Sequence, residues 1–332
     1  MPHQFGTFPT TRLRRLRRTA ALRNLNRETA LHPGFFIQAT ILRENDDPAV
    51  IDGMSGIERQ TIDQACALAV SAKSKRIGGL ALFPYTKPSD RNSAGSAAFD
   101  PSNLMCRAAE AIKKAVPDVL LIGDVALDPY TDHGHDGLMD DSGTIINDET
   151  VEKLREQALV LARSGFDIVA PSDMMDGRIG EIRRFLDAQG CTETAILSYA
   201  VKYASAFYGP YRNAVGSSGV LKGDKATYQM DPANALEGLR EAALDTQEGA
   251  DMLMVKPGLP YLDMVTRVKE SFGLPTVAFQ VSGEYAMMRS AADAGALDFD
   301  RALMESLTCF RRAGADAVIT YAAMKAADLL SY

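Results

Sequence analysis

Lys202 and Lys256 each close a short apolar run, AILSYAVK at 195–202 and DMLMVKPG at 251–258. An ammonium is costly in such a place, because burial disfavours the charged form of a lysine. The cost becomes useful where the amine has to be neutral, since a neutral amine attacks a ketone or aldehyde to give a Schiff base. One strand-end lysine is read equally well as a buried salt bridge or a snorkelling tip. Two on adjacent strands favour imine chemistry, because each charge depresses ionisation of the other. A second cluster, DVALDPYTDHGHDG at 124–137, gathers Asp124, Asp128, Asp132, His133, His135 and Asp136 without a cysteine. It fits a metal cage, a proton-transfer site or a polar loop at a strand end.

These residues need a scaffold that brings strand ends together. Apolar, β-rich runs occur at 35–42, 79–85, 119–127, 167–173, 195–202, 251–258, 275–283 and 316–322. Segments such as 62–76, 103–116, 148–165 and 233–249 lie between them, with apolar residues at three- and four-residue spacing. In 148–165, Asp148 is the expected N-cap and Gly165 the expected stop. Alternating strands and helices with near-continuous apolar strands predict a parallel sheet buried on both faces. Eight such units predict an α/β fold of the (β/α)8 TIM-barrel type over 35–332, with an extended or helical arm over 1–34. A doubly wound open sheet fits less well, because no Gly-rich phosphate turn follows the first run.

In such a barrel the active site lies at the C-terminal strand ends. The polar residues there are Asp124, Ser172, Asp173, Lys202, Lys256, Ser282 and Tyr321. After Lys202 comes a long Gly- and Ser-rich segment, 203–230, with Arg212, Lys222 and Lys225. It reads as a lid. Its cations suit a substrate carboxylate, although each is read as simply as solvated loop charge.

The net charge is -7, yet residues 1–34 hold Arg12, Arg14, Arg15, Arg17, Arg18, Arg23 and Arg27 against the single acid Glu28. The arm is either a solvated tail or a segment that packs on an acidic neighbouring subunit. The acidic body excludes nucleic acid as a partner, whose phosphates demand a basic face. Cys66, Cys106, Cys191 and Cys309 have no CxxC spacing and read as buried free thiols. Neither a signal peptide nor a membrane-spanning run is evident, so a soluble cytoplasmic protein without membrane partners is expected.

Five stretches carry a resemblance to a known family: DVALDPYTDHGHDG, APSDMMDGRIG (170–180), SYAVKYASAFYGPYR (198–212), GADMLMVKPG (249–258) and QVSGEYAMM (280–288). Together they resemble the porphobilinogen synthases, or 5-aminolevulinate dehydratases, of bacterial type, over nearly the whole chain and including the arginine-rich arm. The resemblance implies a TIM barrel whose arm wraps a neighbouring subunit in octamers or hexamers. It implies condensation of two 5-aminolevulinate molecules into porphobilinogen with loss of two waters, a step of tetrapyrrole biosynthesis. Matched motif by motif, Lys256 forms the imine with the substrate that supplies the propionate side chain. Lys202 forms it with the substrate that supplies the acetate. Ser282 and Tyr321 hold the first carboxylate. Arg212, Lys225 and Gln229 hold the second. Asp124 and Ser172 lie near the substrate amine.

Many members of that family bind zinc through three cysteines, where this chain has Ala126, Asp128 and Asp136. Zinc favours thiolates, so no zinc is expected at this triplet. The carboxylates leave open a weak Mg2+ or K+ site, no metal requirement, or zinc held through His133 or His135. The resemblance also matches Glu241 to an allosteric Mg2+ ligand, where the residue alone reads as an exposed helical glutamate. Two other readings share parts of this pattern. A class I Schiff-base aldolase shares the barrel but needs a single imine lysine. A scaffold that binds an acidic partner through its arm needs neither lysine.

Overall fold

The computed structural model describes residues 6–217, 219, 221 and 223–330. Eight parallel strands close into a barrel in chain order: β1 (Phe36–Leu42), β2 (Gly79–Pro84), β3 (Leu121–Val125), β4 (Ile168–Pro171), β5 (Ala195–Lys202), β6 (Met252–Lys256), β7 (Thr276–Gln280) and β8 (Ala317–Thr320). The seam is the β1–β8 pairing, from Phe36 opposite Val318 to Gln38 opposite Thr320. The predicted (β/α)8 architecture is therefore the fold. Nearly every strand residue is buried, which is why the strands read as unbroken apolar runs.

The helices include Ile62–Ser74, Leu104–Ala115, Asn147–Arg163 and Ala235–Glu248, matching the four predicted segments. Asp148 is not an N-cap. The helix starts at Asn147 after Ile146, and Asp148 lies in its first turn, where a carboxylate meets the positive end of the helix dipole. Gly165 does follow the helix end, with φ +103°. Ser282 is not a strand residue either. β7 stops at Gln280, and Ser282 opens the helix Ser282–Asp293, because the Glu284 carboxylate takes the Val281 amide (2.7 Å) out of the sheet.

A three-fold device ties the N-terminal face together. Asp167, Asp251 and Asp316 each stand next to the start of an even-numbered strand, two residues after a glycine at φ +103° to +105°. Each accepts an amide at the start of the preceding strand: Asp167 from Leu121 (2.7 Å), Asp251 from Ile196 (2.7 Å) and Asp316 from Thr276 (2.9 Å). Glycine reverses the chain where other side chains would be strained, and the carboxylate satisfies an amide at the sheet's rim.

In the arm, Leu13–Arg17 forms a 3-10 turn and Ala20–Leu25 a short helix capped by Thr19. The four cysteines are free. Cys106 is buried, as expected, but Cys66, Cys191 and Cys309 are only half-buried. Among the described residues no helix is long and apolar enough to cross a membrane.

Asp251→Ala removes one rim acceptor far from the strand ends that carry the lysines. Chemical denaturation should show a loss of about 1 kcal/mol with catalytic turnover unchanged.

Candidate active site

Lys202 and Lys256 are direct neighbours, paired in register across β5 and β6. A break in register between Ser198 and Val201 makes this possible. With strict alternation, Tyr199 and Lys202 would point to opposite faces of β5. The irregularity lets both approach Lys256: the Lys256 Nζ lies 4.9 Å from the Tyr199 ring and the Lys202 Nζ 6.0 Å from it.

The Lys256 Nζ also lies 4.7 Å from the Phe279 ring, 5.2 Å from Tyr211 and 5.4 Å from Tyr208. This aromatic box leaves Lys256 6 % exposed. Burial, reinforced by the Lys202 charge and resisted by Asp124, pulls the Lys256 amine down to about 7. Lys202 is held differently. Its Nζ donates to the Ser172 carbonyl and lies 3.4 Å from Asp136. One amine sits against rings and the other against oxygens, and the ring box around Lys256 disfavours its charged form.

Three buried carboxylates balance the amines. Burial raises Asp124 to about 7 against the pull of Lys256, so it can carry or release a proton near neutral pH. Burial also raises Asp128, against Lys225. Burial would raise Asp136 too, but the ammonium groups of Lys202 and Lys225 outweigh it and bring it down to about 2. Lys225 reaches in from the lid, with Nζ 2.8 Å from Asp136 and 3.2 Å from Asp128. Asp173, grouped with Ser172 on sequence, turns away toward the buried Arg178, which is ion-paired to Asp245 at 3.1 Å.

Asp128 and Asp136 face two ammonium groups, and Ala126 supplies no donor. A divalent ion between these carboxylates would meet the lysine charges head-on, so the triplet does not fit zinc. The histidines serve the loop's scaffold. His135 Nδ1 lies 3.0 Å from the Tyr228 hydroxyl, the Asp136 amide donates to that hydroxyl, and the His135 amide donates to His133 Nδ1 (3.3 Å). Among the described residues no three His, Cys, Asp or Glu side chains are grouped as metal ligands.

Asp128, Asp136, Ser172, Lys202, Arg212, Lys225, Gln229 and Lys256 line one cavity, closed down to ≈ 30 Å³. Ser282 and Tyr321 do not line it. Both are buried: Tyr321 is 6.4 Å, ring to ring, from Phe279, and among the described residues the Ser282 hydroxyl has no hydrogen-bond partner. Glu241 lies apart, half-buried rather than exposed, in a cavity of ≈ 600 Å³ with Asp176, Glu237 and Gln229.

The described residues of the segment read as a lid include regular structure. It contains a helix, Gly209–Val215, that presents Arg212. Two buried arginines cap its end: Arg59 donates to the Asn213 and Ala214 carbonyls (2.6 and 2.7 Å), and Arg91 to Val215 (2.7 Å). The lid's two ends meet, because the Ala204 amide donates to Met230 (2.8 Å) and the Met230 amide to Lys202 (3.2 Å). Lys222 lies outside the described residues. Sequence reasoning missed the ring box and the arginine caps. The aromatic spacing in SYAVKYASAFYGPYR was the available signal for the box; distant Arg59 and Arg91 left none.

A family model described as delta-aminolevulinic acid dehydratase matches residues 10–329. The chain is 55% identical to the delta-aminolevulinic acid dehydratase of Bradyrhizobium diazoefficiens, over 96% of this chain and 90% of the relative. It is 51% identical to that of Rhodobacter capsulatus, over 97% of each chain. Among solved structures, the delta-aminolevulinic acid dehydratase (porphobilinogen synthase) of Toxoplasma gondii, in complex with the reaction product porphobilinogen, is similar with TM-score 0.93 and 48% identity. That match covers 96% of this chain and 91% of the other.

Trapping of a small ketone on Lys256 should rise roughly tenfold between about pH 6 and about pH 8, following loss of the ammonium proton. Lys202→Met removes the neighbouring charge, so the inflection should move to higher pH. An unchanged inflection would mean that the like charge does not set it.

Proposed function

This chain belongs to the delta-aminolevulinic acid dehydratase family, and on that premise we infer that it condenses two molecules of 5-aminolevulinate asymmetrically into porphobilinogen, releasing two waters. It is a lyase. The observation that carries the reading at the level of residues is the in-register pair Lys202 and Lys256 at one cavity. Two ketone substrates call for two amines.

We propose that the Lys256 Nζ adds to the ketone carbon of the propionate-side substrate and expels water to leave an imine. Lys202 does the same with the acetate-side substrate. The two imines account for both waters. The amino group of one substrate then replaces one lysine at its imine carbon. Carbon–carbon bond formation followed by elimination releases the other lysine as an amine. Asp124 and Ser172 hold and move protons at the substrate amine. Ser282, with its buried unpaired hydroxyl, and Tyr321 receive the first carboxylate. Arg212, Gln229 and Lys225 receive the second. A lysine ammonium has three donors, so Lys225 keeps one after Asp128 and Asp136 are satisfied. The closed cavity is too small for these substrates, so the lid 203–230 opens for entry.

The reaction on this reading draws its cation at the Asp128–Asp136 pair from Lys225 rather than from zinc, Mg2+ or K+. Glu241, beside Asp176 and Glu237, is a separate candidate for a hydrated Mg2+ that modulates activity. Residues 1–34 form an arm that docks on a neighbouring copy in a homo-octamer or hexamer, while 35–332 form the catalytic barrel. In support, Leu13, Leu16 and Leu25 are 66, 49 and 81 % exposed. The free thiols suit a reducing cytoplasm.

Exhaustively chelated enzyme should form porphobilinogen without added zinc, and any stimulation by Mg2+ should vanish in Glu241→Ala. A strict zinc requirement would contradict the assignment of the carboxylate pair. Lys256→Ala and Lys202→Ala should each lower kcat by at least about 1,000-fold. Turnover that survives either substitution would overturn the two-imine reading.

A further inference from the structure

Glu284 is a carboxylate with 0 % exposure, and among the described residues no lysine, arginine or histidine is ion-paired to it. Its partners are backbone amides: Oε1 accepts from Leu259 (2.7 Å), and Oε2 from Val281 (2.7 Å) and Gly258 (3.2 Å). The three amides come from two strand ends. Pro257 has no N–H, so Gly258 and Leu259 offer the first free amides after Lys256. Val281 immediately precedes Ser282. One side chain therefore joins the turn behind the imine lysine to the residue beside the proposed carboxylate pocket.

The surroundings leave this joint no slack. A side chain at Gly258 would meet the Phe310 ring at 2.3 Å, and one at Gly283 would meet the Phe207 carbonyl oxygen at 2.4 Å. The Lys256 carbonyl is held from the other side by the Tyr203 amide (3.0 Å) and the Tyr208 hydroxyl (3.2 Å). An unmade bond here would strand a buried amide, which explains a charged residue in a place that otherwise disfavours charge. Burial pushes the Glu284 carboxyl up to about 7 while the three amides resist.

We propose that Glu284 is a positioning residue that fixes the spacing between Lys256 and the Ser282 carboxylate pocket, so that a keto acid anchored by its carboxylate presents its ketone to the amine. The inference rests on the assignment of Ser282 to substrate binding. It deepens that assignment, because the distance between anchor and amine becomes a property of a residue that touches neither substrate group.

The test compares levulinate with 2-pentanone, which has the same carbon skeleton but no carboxylate. Each forms an imine on Lys256 with loss of water. Cyanoborohydride then delivers hydride to the imine carbon and solvent supplies the proton to nitrogen, leaving a secondary amine that peptide mass mapping counts. Two variants are used. E284Q keeps the shape and loses acceptors. V281P removes one donor at a position whose φ of −75° already suits proline. Wild-type enzyme should label much faster with levulinate. Both variants should lower that preference by about tenfold or more, and misplacement of an ångström costs up to about 100-fold. The 2-pentanone rate should stay within about twofold. If E284Q does not fold, V281P alone carries the same reading. A preference unchanged in the folded variants, or a parallel fall with both ketones, overturns the inference while leaving the substrate assignment intact. A wild-type enzyme without preference for levulinate overturns the carboxylate-pocket assignment and the inference with it.

Discussion

A lysine amine buried among rings beside a second lysine is pressed to give up its proton, first by burial and then by its neighbour's charge, and much of this site follows from that constraint. Lys202 and Lys256 are fixed as neighbours by sheet register, not by side-chain choice. Coulomb repulsion at such range is strong where the effective dielectric is low. The site resolves it by asymmetry. Rings surround Lys256 and favour its neutral form. Oxygens from Ser172 and Asp136 surround Lys202. The same strand pair thus sets one amine among rings and the other among oxygens.

The carboxylates extend the same logic outward. Asp136 serves two lysines and stays ionised, whereas burial pushes Asp124 toward its neutral form. Neighbouring acids with separated proton affinities allow one to stabilise charge while the other transfers protons. Lys225 reaches these acids from the segment after β5, so the charge balance is completed by a residue outside the barrel strands. Arg59 and Arg91 hold the carbonyl end of the helix that carries Arg212.

The barrel was legible because double burial writes itself as eight apolar runs, and the lysines stood out because they end two of them. Boundaries failed where a side chain overrode the pattern. Val281 and Ser282 extend the apolar run of β7, but Glu284 pulls the chain into a helix. Asp148 looked like a cap because aspartate usually is one, yet the helix begins one residue earlier. The glycine–aspartate device before β4, β6 and β8 was present as GFD, GAD and GAD and passed unread, since its meaning lies in an amide on another strand. The resemblance assigned DVALDPYTDHGHDG to a metal position, but no spacing within it could reveal that Lys225, ninety residues on, would face its aspartates.

Burial in the ring box, reinforced by the Lys202 charge, lowers the proton affinity of Lys256. The direct measurement is a titration of the lysine side chains by NMR, with the ε-carbon labelled with carbon-13. One resonance should titrate with a midpoint of about 7 and be missing from the spectrum of Lys256→Met. If every lysine titrates near its usual value, the aromatic box and the paired charge do not prepare the nucleophile, and the account of the site fails.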